Sequence, residues 1–97
     1  MKLQYNQITG IEYAGRNQAS LLSAKESKNY TSDSWLTFLQ AKSINRLVKK
    51  GEHGTRIIKF VEFKDEAGTK TGSAPRMYTV FNLDQTQLIE SPELITA

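Results

Sequence analysis

The sequence predicts an α+β domain: a small antiparallel sheet with two main helices packed on one face. Three observations carry this. Thr55–Lys64 and Arg76–Phe81 are dense in β-branched and aromatic residues, which suit a pleated, half-buried surface. Upstream, Gln18–Lys28 and Phe38–Asn45 carry apolar residues at helical spacing. Gly, Asn and Pro separate these stretches, giving the order β, α, α, β, β, in which helices and strands are segregated.

The elements follow from the N-terminus. Asn6-Gln7-Ile8-Thr9-Gly10 has turn chemistry, with Gly10 free to take positive φ. Ile11 and Tyr13 alternate with Glu12 as in a short strand, which Gly15 ends. Asn17 is an N-cap for a helix over Gln18–Lys28 bearing Ala19, Leu21, Leu22 and Ala24. Residues 29–34 read as loop. Thr37 and Gln40 have the spacing of a capping box, opening a helix with Phe38, Ala41 and Ile44 on one face. If that helix continues, Lys42, Arg46, Lys49 and Lys50 share a flank, three and four residues apart. Gly51 and Gly54 bracket a tight turn at Glu52-His53. The strand over Thr55–Lys64 has apolar residues on both faces, which places it centrally in the sheet. Asp65–Pro75 reads as a mobile surface loop, and Arg76–Phe81 as the antiparallel partner. A helical turn is expected over Leu83–Leu88. Residues 1–90 form the folded domain and 91–97 a flexible acidic tail. Phe38, Phe60, Phe63 and Phe81 are expected in the core.

Composition limits the function classes. At 97 residues the chain is one domain. The absence of cysteine excludes disulfides and thiolate chemistry, and the single histidine, His53, excludes histidine-cluster metal sites. No catalytic residue, cofactor or metal is expected. No apolar run approaches the ~20 residues of a membrane span, and the first residues have no signal-peptide core. A cytoplasmic location is the expectation. Net charge is +3, unevenly placed: all 13 basic residues precede residue 83, whereas Asp84, Glu90 and Glu93 follow it without a base. A basic body suggests a polyanionic partner.

The cations fall into three groups: Arg16; Lys42, Arg46, Lys49 and Lys50; and Arg56, Lys59 and Arg76. Tyr13, Tyr30, Trp35 and Tyr78 are the candidate stacking rings. Trp35, just before a helix, reads first as a core residue, whereas Tyr78, on a strand with Arg76, has the better claim to a surface. Cations for phosphates and flat rings for unstacked bases are what single-stranded nucleic acid requires. Lys49-Lys50 beside a glycine turn could hold a phosphate between flexible amines and free backbone amides.

Five blocks in order give the chain a resemblance. They are Asn6-x-x-Thr9-Gly10, Tyr13-x-Gly15-x-Asn17, Trp35-Leu36-Thr37-Phe38-x-Gln40-Ala41, Val48-Lys49-Lys50-Gly51-Glu52-x-Gly54-Thr55 and Tyr78-x-Val80-Phe81-Asn82. Over residues 5 to 86 the sequence resembles the N-terminal domain of the ArdC antirestriction proteins of conjugative plasmids, a domain also found in TraC-type plasmid primases. Gln7 stands where that family often has proline. The resemblance implies single-stranded DNA binding. It also implies a following metallopeptidase-like domain with His-Glu-x-x-His, a motif this chain lacks, so protease activity is not implied here. Met1 and the acidic tail favour a stand-alone version over a fragment.

The resulting expectation is a non-enzymatic single-stranded DNA-binding domain from a plasmid or phage, aiding evasion of host restriction. Arg16, Lys42, Arg46, Lys49, Lys50, Arg56 and Arg76 would neutralise phosphates, and Tyr78, with Tyr13 or Trp35, would stack on bases. The alternative is a protein-binding inhibitor of a host defence nuclease of the restriction or CRISPR kind. A third reading is a recruitment module within a larger primase or peptidase.

Overall fold

The computed structural model describes residues 3–89; the expected acidic tail lies outside them. The elements are β1 (Tyr5–Asn6), α1 (Gly15–Lys28), β2 (Ser34–Leu36), α2 (Phe38–Ser43), β3 (Arg46–Val48), β4 (Thr55–Lys64), β5 (Lys70–Asn82), a 3-10 turn (Leu83–Gln85) and β6 (Thr86–Leu88). The mixed α/β class is as expected, with more strand than helix. Four strands form one sheet in the order β1-β2-β5-β4, and β3 pairs with β6 in a second. The main sheet is not purely antiparallel, because β1 runs parallel to β2.

β5 is the strand that organises the sheet. Its C-terminal end pairs with β2, while most of its length pairs with β4 from Thr55↔Val80 to Lys64↔Lys70. β4 is therefore an edge strand, not the central one expected. The expected loop at Asp65–Pro75 shrinks to Asp65–Thr69, because residues 70–75 continue the ladder. There Asp65 Oδ1 accepts from the Ala67 and Thr69 amides and Gly68 takes φ 83°, closing the turn.

α1 begins three residues earlier than the sequence suggests, with Ala14 at the cap. Asn17 is consequently inside its first turn and does a different job. Its side-chain amide donates to Ile58 O at 2.7 Å and accepts from Ile58 N at 2.9 Å, so one amide occupies the open edge of β4. This satisfies two edge groups that would otherwise invite another strand. Leu21 of α1 then joins Trp35, Ile57 and Val80 in the core cluster.

Trp35 lies within β2 and is fully buried. Its indole N–H donates to Gln4 Oε1 at 2.8 Å, and Tyr30 packs on the ring edge-on at 5.9 Å. Gln18 grips the same region from α1, accepting from Gln4 N and donating to Gln4 O and Tyr13 O. The N-terminal arm, α1 and β2 are thus held by side-chain amides as much as by apolar packing. Every buried side-chain polar atom among the described residues has a partner, as a native interior requires.

The capping box forms as expected. Thr37 Oγ1 accepts from Gln40 N, and Gln40 Oε1 accepts from Thr37 N. The helix stops at Ser43, however. Asn45 takes φ 60°, and the Ile44 and Asn45 amides close back on Ala41 O and Lys42 O. The chain then pairs as β3 with β6. The predicted helical flank of Lys42, Arg46, Lys49 and Lys50 does not exist, because a strand partner 40 residues away wins over local propensity.

Candidate nucleic-acid interface

Directly paired residues of β4 and β5 project from the same face. The register matches Ile57 with Tyr78 and Lys59 with Arg76, so Ile57, Lys59, Val80, Tyr78 and Arg76 share one. Its first part is core, with Ile57 and Val80 buried. Beyond them the cover ends: from Lys59 round to Thr79 no residue is buried. Tyr78 is 39% exposed, and Lys59 Nζ stands 5.7 Å from its ring centroid. Arg76 lies directly across from Lys59. The opposite face carries Arg56, Ile58, Phe60, Pro75 and Met77, with Phe60 72% exposed. Phe38 and Phe63 are also exposed and Phe81 is half-buried, so three of the four expected core phenylalanines face water. Phe60 and Phe63 do so because the ribbon extends past anything able to cover it.

The other predicted cations are dispersed. Arg16, at the start of α1, borders a groove of about 460 Å³ with Ile58, Phe60 and Pro75, on the side away from Tyr78. Lys42 Nζ sits 6.0 Å from the Phe38 ring. Arg46 is committed internally: its Nε donates to Thr86 Oγ1 at 2.7 Å and its Nη2 to Thr86 O at 3.3 Å, fastening β3 to β6. Lys49 and Lys50 are exposed at the glycine turn, with the Lys49 amide donating to Gln85 O at 2.8 Å and its charge acting on Asp84. That turn is a connection between two sheets, shaped by Gly51 at φ 85° and by Gln85 Nε2, which donates to His53 O and Glu52 Oε1. Lys28, near the C-terminal end of α1, borders the same turn, whereas Asn17, at the other end, borders Lys59. The helix is ~20 Å long at 1.5 Å per residue, so Lys49-Lys50 and Tyr78 belong to separate patches.

Two of the four candidate stacking rings, Trp35 and Tyr13, are changed by the tertiary structure. Trp35 has no exposed surface and cannot receive a base. Tyr13 is half-buried; its hydroxyl accepts from Asn6 Nδ2 at 3.1 Å, and burial pushes its pKa up, outweighing that hydrogen bond. Ion pairs among the described residues are Lys25–Asp33 and Lys70–Glu62. Lys59, Arg76, Arg56, Arg16, Lys42, Lys49 and Lys50 take part in neither.

Several of the residues that carried the resemblance prove to be structural pins. Asn6 Oδ1 accepts from the Ile8 and Thr9 amides, fixing the first turn, and its Nδ2 donates to Tyr13 Oη and Gln40 Oε1. Asn82 caps the 3-10 turn reciprocally with Gln85. Gly54 admits no side chain: a Cβ there would lie 2.3 Å from Thr79 Cγ2 and 2.9 Å from Val80 O. Lys59 was grouped with the cations by sequence but not distinguished from them. Only the β4–β5 register, invisible in the chain, puts it on Tyr78.

A sheet edge sealed by an asparagine, an amide-pinned N-terminal turn and a bare basic ribbon define a small mixed α/β domain. The sequence matches the N-terminal domain of anti-restriction factor ArdC over residues 1–87, and the chain belongs to that family. The fold is similar to the metal-free crystal structure of antirestriction ArdC protein from the R388 plasmid, with TM-score 0.76 and 33% identity over 97% of this chain. The Mn(II)-bound structure of that protein matches with TM-score 0.76 and 33% identity over 92% of this chain. No curated protein matches the sequence. The chain spans only 40% and 32% of those two crystallised chains. Manganese does not fit the residues described here: none of them form a group of three or more His, Cys, Asp or Glu able to hold a metal ion. No helix among them is long and apolar enough to cross a membrane.

Proposed function

We propose that this domain is a non-enzymatic module that binds single-stranded DNA and thereby aids evasion of host restriction. The observation that carries the reading is the uncovered ribbon face bearing Tyr78, Lys59 and Arg76, two cations beside one aromatic ring with no carboxylate among the described residues paired to either. A base stacking on Tyr78 displaces the Lys59 ammonium from the ring, which frees it for the adjoining phosphate. Stacking supplies ~1–3 kcal/mol per base and accepts any base, because every base has a flat face. Arg76 offers a planar donor fork to the next phosphate. Antirestriction activity is the property named for the R388 relative. A domain that coats entering single strands could serve it by occupying DNA before host enzymes do.

Fluorescence-anisotropy titration with single-stranded DNA, duplex DNA and RNA at two salt concentrations tests the proposal. Single strands should bind best, and affinity should fall with salt with a log–log slope of about −2 to −3.5 for three to five phosphates. Absence of nucleic-acid binding at low salt, together with capture of a defence nuclease, would replace this reading with that of a protein-binding inhibitor.

A further inference from the structure

We propose that Phe63 is a second stacking platform, so that one single strand laid along the ribbon places one base on Tyr78 and another on Phe63. The proposal rests on the single-stranded DNA reading and adds a residue to its site. Phe63 pairs with Gly72, and alternate residues of a strand share a face, so Phe63 lies on the face of Tyr78, Lys59 and Arg76. The rungs of that face run Ile57↔Tyr78, Lys59↔Arg76, Val61↔Ala74 and Phe63↔Gly72. A ring therefore stands at each end of the run, Tyr78 39% and Phe63 42% exposed. Between them come the two cations and then two small apolar side chains.

Charge, spacing and open space all suit a polyanion with flat bases. From Ile57 to Phe63 and from Gly72 to Tyr78 this face carries two cations and no carboxylate. Glu62 alternates onto the opposite face and pairs with Lys70 at 3.4 Å. Six residues separate Ile57, the partner of Tyr78, from Phe63, a span of ~20 Å at ~3.4 Å per residue. A stacked strand covers that span in about six nucleotides at ~3.4 Å each, and an extended one in fewer. The Lys59↔Arg76 rung falls inside it, where the phosphates between the two bases would pass. Gly72 supplies the open space. A Cβ built there meets nothing within 4 Å, and its φ is not positive. Neither backbone nor packing requires glycine at that position, and its effect is to leave the surface across from Phe63 bare. A strand glycine of this kind suits the close approach of a ligand. Phe60 provides the contrast: it is 72% exposed, more than either ring, but it pairs with Pro75 and faces away from the Lys59↔Arg76 rung.

The test is anisotropy titration of the intact chain with oligo-dT of ~10 nucleotides, long enough to reach both rings even when stacked. Phe63→Leu keeps the apolar bulk and removes the flat ring. It should weaken binding about 5- to 150-fold, the range of one lost base–aromatic stack. Phe63→Trp, which keeps a flat ring, should bind at least as tightly as the wild type. Gly72→Val fills the open space and should also weaken binding, while its urea midpoint holds or rises, because a β-branched residue suits a strand better than glycine does. Phe60→Leu should leave the affinity unchanged, although Phe60 is the more exposed ring. Urea unfolding accompanies each titration, and Phe63→Leu should keep the wild-type midpoint because Phe63 lies outside the core cluster. If Phe63→Leu fails to fold, Gly72→Val decides. Wild-type affinity in both Phe63→Leu and Gly72→Val, with Tyr78→Ala weakened, overturns the second platform and leaves single-stranded DNA binding intact. Equal losses in Phe60→Leu and Phe63→Leu overturn it too, since binding would then follow exposed apolar area and not the face. No binding of oligo-dT by the wild type overturns the DNA reading along with the platform.

Discussion

The same two strands pass through both halves of this molecule and meet opposite surroundings. Near Ile57 and Val80 they lie against Trp35 and Leu21, with both residues almost without exposed surface. A few residues along, Lys59, Phe60, Arg76 and Met77 are in water, and the chain between carries no buried residue at all. One half is over-determined: its amides pair reciprocally and its edge is filled by Asn17. The other is held by its ladder, its turn and one exposed ion pair, Lys70–Glu62. Stability and binding should therefore separate cleanly along one pair of strands, since burial produces the first and exposure the second.

Trp35→Ala is the strongest challenge to that separation. Emptying a fully buried indole site should cost ~3–5 kcal/mol, enough to unfold a domain of marginal stability. Loss of the cooperative transition in urea or heat is the expected outcome. A well-folded Trp35→Ala protein that binds DNA poorly would mean the two halves have been assigned the wrong way round.

Gly54→Ala comes next. The added methyl would meet the Thr79 side chain and the Val80 carbonyl well inside contact distance. Overpacking of this kind costs ~1–3 kcal/mol, read as a lower urea midpoint at unchanged slope. Tyr78→Ala should lie on the other side of the comparison. It should lose ~1–3 kcal/mol of single-strand affinity while its unfolding midpoint barely moves.

Salt dependence sharpens the contrast within the cations. Lys59→Ala with Arg76→Ala should make the log–log slope shallower by about 1.4, two phosphates at ~0.7 each. Lys49→Ala with Lys50→Ala should change it less, by about one unit if the strand reaches across the domain and not at all if it stays on the ribbon. A larger effect from the glycine-turn pair would move the main phosphate contact to the far end of α1.

The smallest expected effect is acid sensitivity at Asp84. Burial pushes its pKa up, but hydrogen bonds from the Thr31 amide and hydroxyl and the Ser32 amide, with the Lys49 charge, more than reverse this. Its folded pKa is depressed, so its contribution is complete above the ordinary carboxylate value of ~4 and fades as pH falls through the lower folded value. Thermal midpoints measured from pH 5 downward should decline, and Asp84→Asn should flatten that decline slightly.

The legible parts of the fold were those decided locally. The capping box at Thr37 and Gln40, the turn ending at Gly10 with φ 74°, and β4 over Thr55–Lys64 are all where the sequence places them. Each depends on residues within a few positions of one another. The errors fall where a distant partner intervenes. Arg46–Val48 becomes a strand because Thr86–Leu88 is beside it, and residues 70–75 join β5 because β4 offers a ladder. Asn17 caps a strand edge and not a helix because α1 crosses Ile58.

The candidate site divides in the same way. Its chemistry, an excess of basic residues with a tyrosine and an arginine two positions apart on a strand, belongs to the sequence, and so does membership of the ArdC family. Which of eight cations meets which ring is a matter of register and burial. Pairing Ile57 with Tyr78 brings Lys59 onto that ring, burial removes Trp35 from any ligand, and Arg46 is spent on Thr86. Local composition determines which groups a chain possesses. Their neighbours are determined by contacts between residues far apart in sequence, and those exist only once the sheet has closed.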